Sequence, residues 1–182
     1  FEHGVYTLLA PIFGPDLLHR GHEYSDMAIR GIEELARNPE FLAFYDTYQV
    51  RVRFYGEYRE FLKDTDYAYL IDIFAELEER TATHKKHRLF FGVFANEYID
   101  AIAKLSVKFY QEHQHVPNKL ELTCAYYGED VDALSVFIGF DKFAMFDVPL
   151  VTTGNEDLYF TVSPSLYLNE TQLREILYDH LF

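Results

Sequence analysis

The fold is decided by one stretch of the chain, in which VRVRFY (residues 50–55) is followed by YAYLIDIFAELEER (residues 67–80) and HRLFFGVF (residues 87–94). The two outer segments are short and rich in β-branched and aromatic residues, as strands are. The middle segment repeats its apolar residues at helical spacing. A strand, a helix and a second strand in this order predict a parallel pair joined by a crossover helix.

The same alternation continues on both sides of this unit. Apolar runs predict strands at residues 5–12, 134–140 and 158–162, and periodic segments predict helices at residues 22–38, 40–48, 96–113, 117–127 and 171–181. We therefore expect an α/β fold with a mostly parallel sheet that carries helices on both faces. Because no repeat or linker divides the chain, we expect residues 1–182 to form a single domain.

Charge and composition exclude several classes of protein. Thirty acidic against 16 basic residues give a net charge of -14, so the molecule would repel the phosphates of a nucleic acid polymer. The single cysteine, Cys124, cannot form an intrachain disulfide, and no apolar stretch is long enough to span a bilayer. We therefore expect a cytoplasmic protein. The 17 Phe and 15 Tyr are more aromatic surface than a core of this size needs.

Ligands of a parallel sheet collect at the carboxyl ends of its strands, which directs attention to the loops there. His19, Arg20, His22 and Glu23 cluster in the loop after the first strand. Their spacing matches no standard zinc site, so we predict no metal ligands, and Arg20 is better interpreted as an anion contact. The basic run at residues 84–87 is either an anion site or, as we favour, a solvated turn.

Several ordered segments carry a resemblance along nearly the whole chain. They are strand 5–12, the Arg20 loop, Tyr55-Gly56-Glu57 and Leu158-Tyr159-Phe160-Thr161. Together they resemble the cis-prenyltransferase (undecaprenyl diphosphate synthase) family, which has an apolar residue and Gly-Asp at the third segment and a similar Leu-Tyr-Phe-Thr strand at the last. The likeness is greatest to diterpene-forming members, through segments such as Phe91-Gly92-Val93-Phe94.

The departures from the family pattern concern chain elongation. Elongating members bind isopentenyl diphosphate through Ile-Arg-Thr-Gly-Gly and Arg-x-Ser-Asn-Phe. Here Gly139 stands at the first arginine, Ala144 at the second and Phe146 at the serine. A second diphosphate in a partly buried site needs those cations, so their loss argues against elongation.

The resemblance instead implies an enzyme that ionises an allylic-type C20 diphosphate with Mg²⁺ and transfers the cation to water or adenosine. Aromatic ring faces stabilise a nearby cation by about 0.5–2 kcal/mol, which gives the aromatic residues a use. The resemblance makes Tyr24 and Arg20 the candidate catalytic residues. The candidate substrate-binding residues are Phe13, Phe94, Asn96, Phe140 and Phe146, although each phenylalanine has plain core packing as its alternative. The family also implies a homodimer.

One family motif has no counterpart in the sequence. The diphosphate loop of the family, Asp-Gly-x-x-Arg followed by Arg or Trp, comes after a strand that precedes all those predicted here, and the sequence begins at Phe1 rather than Met. We therefore expect about one further strand and one helix in the natural protein. The alternative is an accessory subunit that keeps the fold without catalysis, and chain elongation is the least favoured interpretation.

Overall fold

Strands and helices alternate along the chain in the computed structural model, which describes residues 1, 3–14, 22–95, 98–140 and 148–182, with only the backbone of residues 22–24 and 166. Its strands are β1 (Thr7–Phe13), β2 (Val50–Tyr55), β3 (His87–Val93), β4 (Val136–Phe140) and β5 (Asp157–Thr161). Its α-helices are α1 (His22–Arg37), α2 (Pro39–Tyr48), α3 (Tyr58–Leu62), α4 (Leu70–Thr81), α5 (Tyr98–His113), α6 (Lys119–Tyr127) and α7 (Glu170–Leu181). A 3₁₀ turn covers Ser165–Tyr167.

All described strand pairs are parallel, as the sequence predicts, but they form two sheets. The first has the order β1-β3-β2, with Leu9 opposite Phe90 and Val52 opposite Leu89. The second pairs β4 with β5 and places Ile138 opposite Tyr159. The predicted α/β class is therefore confirmed, while the single sheet is divided in the described part of the chain.

Two apolar cores hold these elements together. The first lies between the three-stranded sheet and the helices α1 and α4, and it includes Ile32, Val52 and Phe74. The second contains Phe90 of the first sheet and Phe137 of the second sheet, so it joins the two. The second core therefore holds the two sheets against each other.

Much of the aromatic content is used in this interior. The ring of Phe54 stacks on Phe74 with centroids 4.0 Å apart, and Tyr58 meets Phe74 edge-on at 5.3 Å. In the second core, Tyr55 and Tyr127 meet edge-on at 4.9 Å. Offset and edge-on pairs such as these add to the stabilisation that burial alone provides. Core packing therefore accounts for many rings that the composition left unexplained.

In the basic run at residues 84–87, only Lys85 and Lys86 form the solvated turn that the favoured interpretation predicts. Lys85 and Lys86 are exposed, whereas the Nδ1 atom of His84 lies 3.0 Å from the Val50 carbonyl oxygen in a buried position. The His87 ring stacks on Phe1 at 4.6 Å. Among the described helices, none is long and apolar enough to cross a membrane.

Candidate functional site

The carboxyl ends of β1, β2 and β3 are joined to one another by backbone hydrogen bonds. The amide of Phe94, just after β3, donates to the Phe13 carbonyl oxygen at the end of β1, at 2.7 Å. The amide of Glu57, just after β2, donates to the Phe94 carbonyl oxygen at 3.1 Å. Of the predicted site residues, Phe13 and Phe94 are therefore brought together at the edge where a parallel sheet binds its ligands.

Two glycines allow the strand ends to approach so closely. Gly56 has a positive φ of +102°, and a Cβ atom there would lie 2.3 Å from the Val93 carbonyl oxygen. At Gly92 a Cβ atom would lie 2.6 Å from the Tyr55 hydroxyl oxygen. Because neither position has room for a side chain, the backbone at this edge is fixed by close packing.

Phe94 is held in an unusual backbone conformation at this edge. Its φ is +54°, in the left-handed region that costs a non-glycine residue about 1–3 kcal/mol. The ring is 1% exposed and packs on Phe61 with centroids 5.1 Å apart. The sequence predicts a substrate contact here, and the structure shows a ring that lies in the first core.

A charged pair borders the same edge. The Lys104 ammonium of α5 lies 3.1 Å from Oε1 of Glu57, and this hydrogen bond raises the pKa of Lys104. The Glu57 side chain is 19% exposed. The resemblance to the cis-prenyltransferases places Glu57 at the aspartate of a Gly-Asp motif but gives this residue no role. Its position at the sheet edge makes Glu57 a further candidate site residue, in addition to those predicted from the sequence.

The other predicted site residues are only partly described. Phe140 ends β4 in the second sheet and is half-buried, and no hydrogen bond or ring contact within the described residues joins it to Phe13 or Phe94. Tyr24 lies in the first turn of α1, but its side chain is outside the described part. Residues Arg20, Asn96 and Phe146 lie outside the described residues.

The described residues do not form a metal centre by themselves. Within residues 1, 3–14, 22–95, 98–140 and 148–182 no group of three His, Cys, Asp or Glu side chains could hold a metal ion. Mg²⁺, however, commonly binds through one or two carboxylates together with substrate phosphates. Glu57 is suited to such a role, since it places one carboxylate at the sheet edge.

Gly139 of β4 is enclosed by aromatic rings. A Cβ atom at this position would lie 2.4 Å from the Phe160 ring and 3.1 Å from the Phe137 ring. An arginine here, as in chain-elongating proteins, would require both rings to move. The packing of the second sheet thus agrees with the sequence in excluding a cation at this position.

Comparison with known proteins gives one relative in sequence. Tuberculosinyl adenosine transferase from Mycobacterium tuberculosis (strain CDC 1551 / Oshkosh) is 44% identical over 183 residues, which cover 100% of this chain and 62% of the relative. The chain therefore spans about three fifths of the length of that protein. No family model matches the chain.

Two solved structures are similar in fold. Lavandulyl diphosphate synthase from Lavandula x intermedia, in complex with dimethylallyl diphosphate, has a TM-score of 0.79 at 14% identity, covering 97% of this chain and 76% of the other. A probable undecaprenyl diphosphate synthase from Campylobacter jejuni has a TM-score of 0.75 at 15% identity, covering 98% and 82%. These matches confirm the predicted resemblance to the cis-prenyltransferases and show that the chain has their fold.

Proposed function

We propose that this protein, with its cis-prenyltransferase fold, transfers a terpenyl group from an allylic-type C20 diphosphate to water or adenosine. The observation that carries the proposal is the 44% identity to tuberculosinyl adenosine transferase along the entire chain. The name of that relative favours adenosine as the acceptor. In the transfer, the bond between the terpenyl carbon and the diphosphate oxygen breaks, and its electron pair leaves with the diphosphate.

The acceptor then supplies the electrons of the new bond. A ring nitrogen of adenosine forms a C–N bond with its lone pair, so the product keeps the positive charge and no proton is lost. Water forms a C–O bond and must release one proton. Both outcomes require the cation to be kept from bulk water until the acceptor reaches it. Phe13, Phe140 and Phe146 are the residues we propose to line that space.

The negative charge of the departing diphosphate needs cationic partners, because the protein as a whole is strongly acidic. We assign this role to Arg20, with Tyr24 orienting the diphosphate or the acceptor and Asn96 contacting the substrate. If Mg²⁺ is bound with the diphosphate, Glu57 would hold it, and the metal would neutralise charge on the leaving group. Phe94 would act through its backbone, which fixes the end of β3 beside β1 and β2.

Chain elongation is disfavoured by the second sheet. An elongating enzyme needs cations for a second diphosphate, and Gly139, against which the Phe160 ring packs, supplies none at this position. This observation favours a single diphosphate per catalytic cycle. We further propose that the protein is a homodimer and that it is located in the cytoplasm.

The proposal is tested by incubating the intact natural protein with Mg²⁺ and tuberculosinyl or geranylgeranyl diphosphate, with and without adenosine. We expect diphosphate release and a terpenyl alcohol or terpenyl adenosine. Arg20→Ala should lower kcat/KM by roughly ten- to a hundredfold, because one charge-assisted hydrogen bond to the diphosphate is lost. Arg30→Ala, which removes an exposed arginine of α1, is the matched control, and its kcat/KM should equal that of the wild type.

Other outcomes would contradict the proposal in distinct ways. Incorporation of isopentenyl diphosphate without ionisation of a C20 diphosphate would show an elongating enzyme. Binding of the substrates without any release of diphosphate would favour the accessory subunit. If Glu57 holds the metal, Glu57→Gln should raise the Mg²⁺ concentration for half-maximal rate, and an unchanged requirement would remove Glu57 from the site.

A further inference from the structure

A small cavity lies beside the carboxyl end of β2, separate from the Phe13 and Phe94 pair. It has a volume of about 190 Å³ and is formed by β2, the start of α3, α4 and the end of α6. Its lining residues are Arg53, Phe54, Tyr55, Gly56, Arg59, Glu78, Ala125, Tyr126 and Gly128. At about 30 Å³ for each water molecule, it has room for roughly six, which is enough for a phosphate group with some of its waters.

Arg59 brings an exposed positive charge to this cavity. Among the described residues no carboxylate lies within ion-pair distance of its guanidinium. Its Cζ atom lies 4.6 Å from the centroid of the Tyr58 ring. A cation–π contact of this kind leaves a guanidinium, which has five N–H donors, able to bind a further partner. Arg59 is thus placed beside the Tyr58 ring at the exposed side of the cavity, with N–H donors within reach of a ligand.

Arg53 is the second cation, and its own ion pairs are long. Its Nη1 atom lies 3.8 Å from Glu78, and its Nε atom lies 3.5 Å from Glu129. Charge-assisted N–H···O bonds are usually about 2.7–2.9 Å, so the donors of Arg53 are incompletely satisfied. Glu129 makes its short contact, 2.8 Å, with Arg51 instead.

Among the described residues that line this cavity, Glu78 is the one carboxylate, and it is already engaged. Its Oε1 atom accepts a hydrogen bond from the Phe54 amide at 2.7 Å. The lining therefore holds two guanidinium groups against one carboxylate that is tied to the backbone. In a chain with a net charge of -14, a concave surface with excess positive charge is unexpected unless an anion balances it.

We infer that this cavity binds a phosphate-type oxyanion between Arg53 and Arg59. The planar forks of the two guanidinium groups suit the oxygens of a phosphate, which can accept two parallel hydrogen bonds from each. The ligand is either free inorganic phosphate or the phosphate group of a larger ester. This inference does not depend on the proposed transferase activity.

The test is a titration of the ¹⁵N-labelled natural protein with sodium phosphate, with sodium chloride keeping the ionic strength constant. We expect saturable shifts of the amides of residues 53–59 and of the Arg59 Nε–H group. Arg59→Gln should weaken binding at least tenfold, the usual loss for one charge-assisted hydrogen bond. Arg59→Lys keeps the charge but lacks the planar fork of N–H donors, so its affinity for phosphate should lie between that of the wild type and that of Arg59→Gln. Arg30→Gln is the control and should bind like the wild type.

The same spectra show whether each variant is folded. A separate titration with methyl phosphate shows whether the natural ligand is free phosphate or a phosphate ester. If methyl phosphate binds at least as tightly as inorganic phosphate, the ligand is an ester. If it binds more weakly, the ligand is the free ion. Shifts that do not saturate, or that are lost equally in Arg30→Gln, would overturn the inference. Saturable shifts confined to other parts of the chain would overturn it as well.

Discussion

Two buried tyrosines show how much depends on a single hydroxyl group. Tyr45 and Tyr58 are both almost fully buried, and burial raises the pKa of each to about 12. The Tyr45 hydroxyl donates to the Leu35 carbonyl oxygen at 2.9 Å. The Tyr58 hydroxyl has no hydrogen-bond partner among the described residues. Burying a polar group is costly unless it is hydrogen-bonded. The Tyr45 hydroxyl should therefore raise the free energy of unfolding, and the Tyr58 hydroxyl should lower it.

We predict that Tyr58→Phe leaves the free energy of unfolding unchanged or raises it by up to about 1 kcal/mol, because an unsatisfied hydroxyl is removed. Tyr45→Phe is the matched variant and should lower the free energy of unfolding by about 1 kcal/mol, because a buried hydrogen bond is lost. Urea unfolding measures both. A clear loss of stability in Tyr58→Phe would show that its hydroxyl has a partner in solution.

The sequence says least about the conformation and packing of individual site residues. A phenylalanine at the end of an apolar strand is compatible with either a pocket wall or a core. The left-handed φ of Phe94 depends on hydrogen bonds to Phe13 and Glu57, residues distant in sequence. Local patterns cannot reveal such a conformation, since it is stabilised by tertiary contacts. By contrast, the family motif did indicate the acidic position of Glu57.

Among the elements, α4 protects the outer edge of the first sheet. Oγ1 of Thr81 accepts a hydrogen bond from the Val52 amide at 3.1 Å, and Glu78, one helical turn earlier, accepts from the Phe54 amide at 2.7 Å. An edge strand otherwise presents unpaired amides. The two side chains thus take the place of a neighbouring strand along β2.

We predict that Thr81→Val lowers the free energy of unfolding by about 1–3 kcal/mol, because it leaves the buried Val52 amide without an acceptor. Thr83→Val is the control, since Thr83 is exposed two residues later, and it should change stability by less than about 0.5 kcal/mol. Chemical denaturation compares the two. Equal effects would show that the hydroxyl of Thr81 does not protect the strand edge.

The start of α6 carries a pH-dependent contact. Asn118 and Glu121 form a capping box, and Nε2 of His115 lies 2.9 Å from Oε1 of Glu121. The hydrogen bond to Glu121 raises the pKa of His115 above its ordinary value of 6.5. A raised pKa in the folded state gives stability that is complete below the unfolded pKa and is lost as pH rises through the folded pKa.

We therefore predict that the stability difference between wild type and His115→Gln is largest near pH 5.5 and shrinks as the pH rises to about 8.5. Thermal unfolding at several pH values measures it, and the difference removes the contributions of the other histidines. The control is the same pair of proteins in a Glu121→Gln background, where the carboxylate partner of His115 is absent and the difference should no longer vary with pH. A difference that grows with pH would contradict the assigned pair.

The elements themselves were largely predictable, and their arrangement was not. Apolar runs locate β3 and β4 closely, and the alternating pattern of VRVRFY locates β2. The five-residue helix α3 was not predicted, since a single turn has too few residues to show a period. Nothing local to β1 or β4 specifies that they end in different sheets, because strand pairing depends on contacts distant in sequence.

For the whole molecule, the exposed apolar surface near the C-terminal elements bears on the proposed homodimer. Val162 is 80% exposed, Tyr167 is 69% exposed and Tyr178 is 67% exposed. Helix α7 is fixed in place by a hydrogen bond of 2.7 Å from Tyr159 of β5 to Asp179. Large exposed apolar side chains that form a patch are characteristic of an interaction surface, and these three fall within residues 162–178.

We predict that the natural protein sediments as a dimer and that Tyr178→Glu shifts it toward the monomer, because a carboxylate would be buried in the interface without a partner. Val107→Glu is the control, since Val107 is 59% exposed on α5 and lies outside the C-terminal elements. Sedimentation equilibrium at several protein concentrations gives the masses. A monomeric wild type would contradict the dimer, and dissociation by Val107→Glu alone would place the interface on α5 instead.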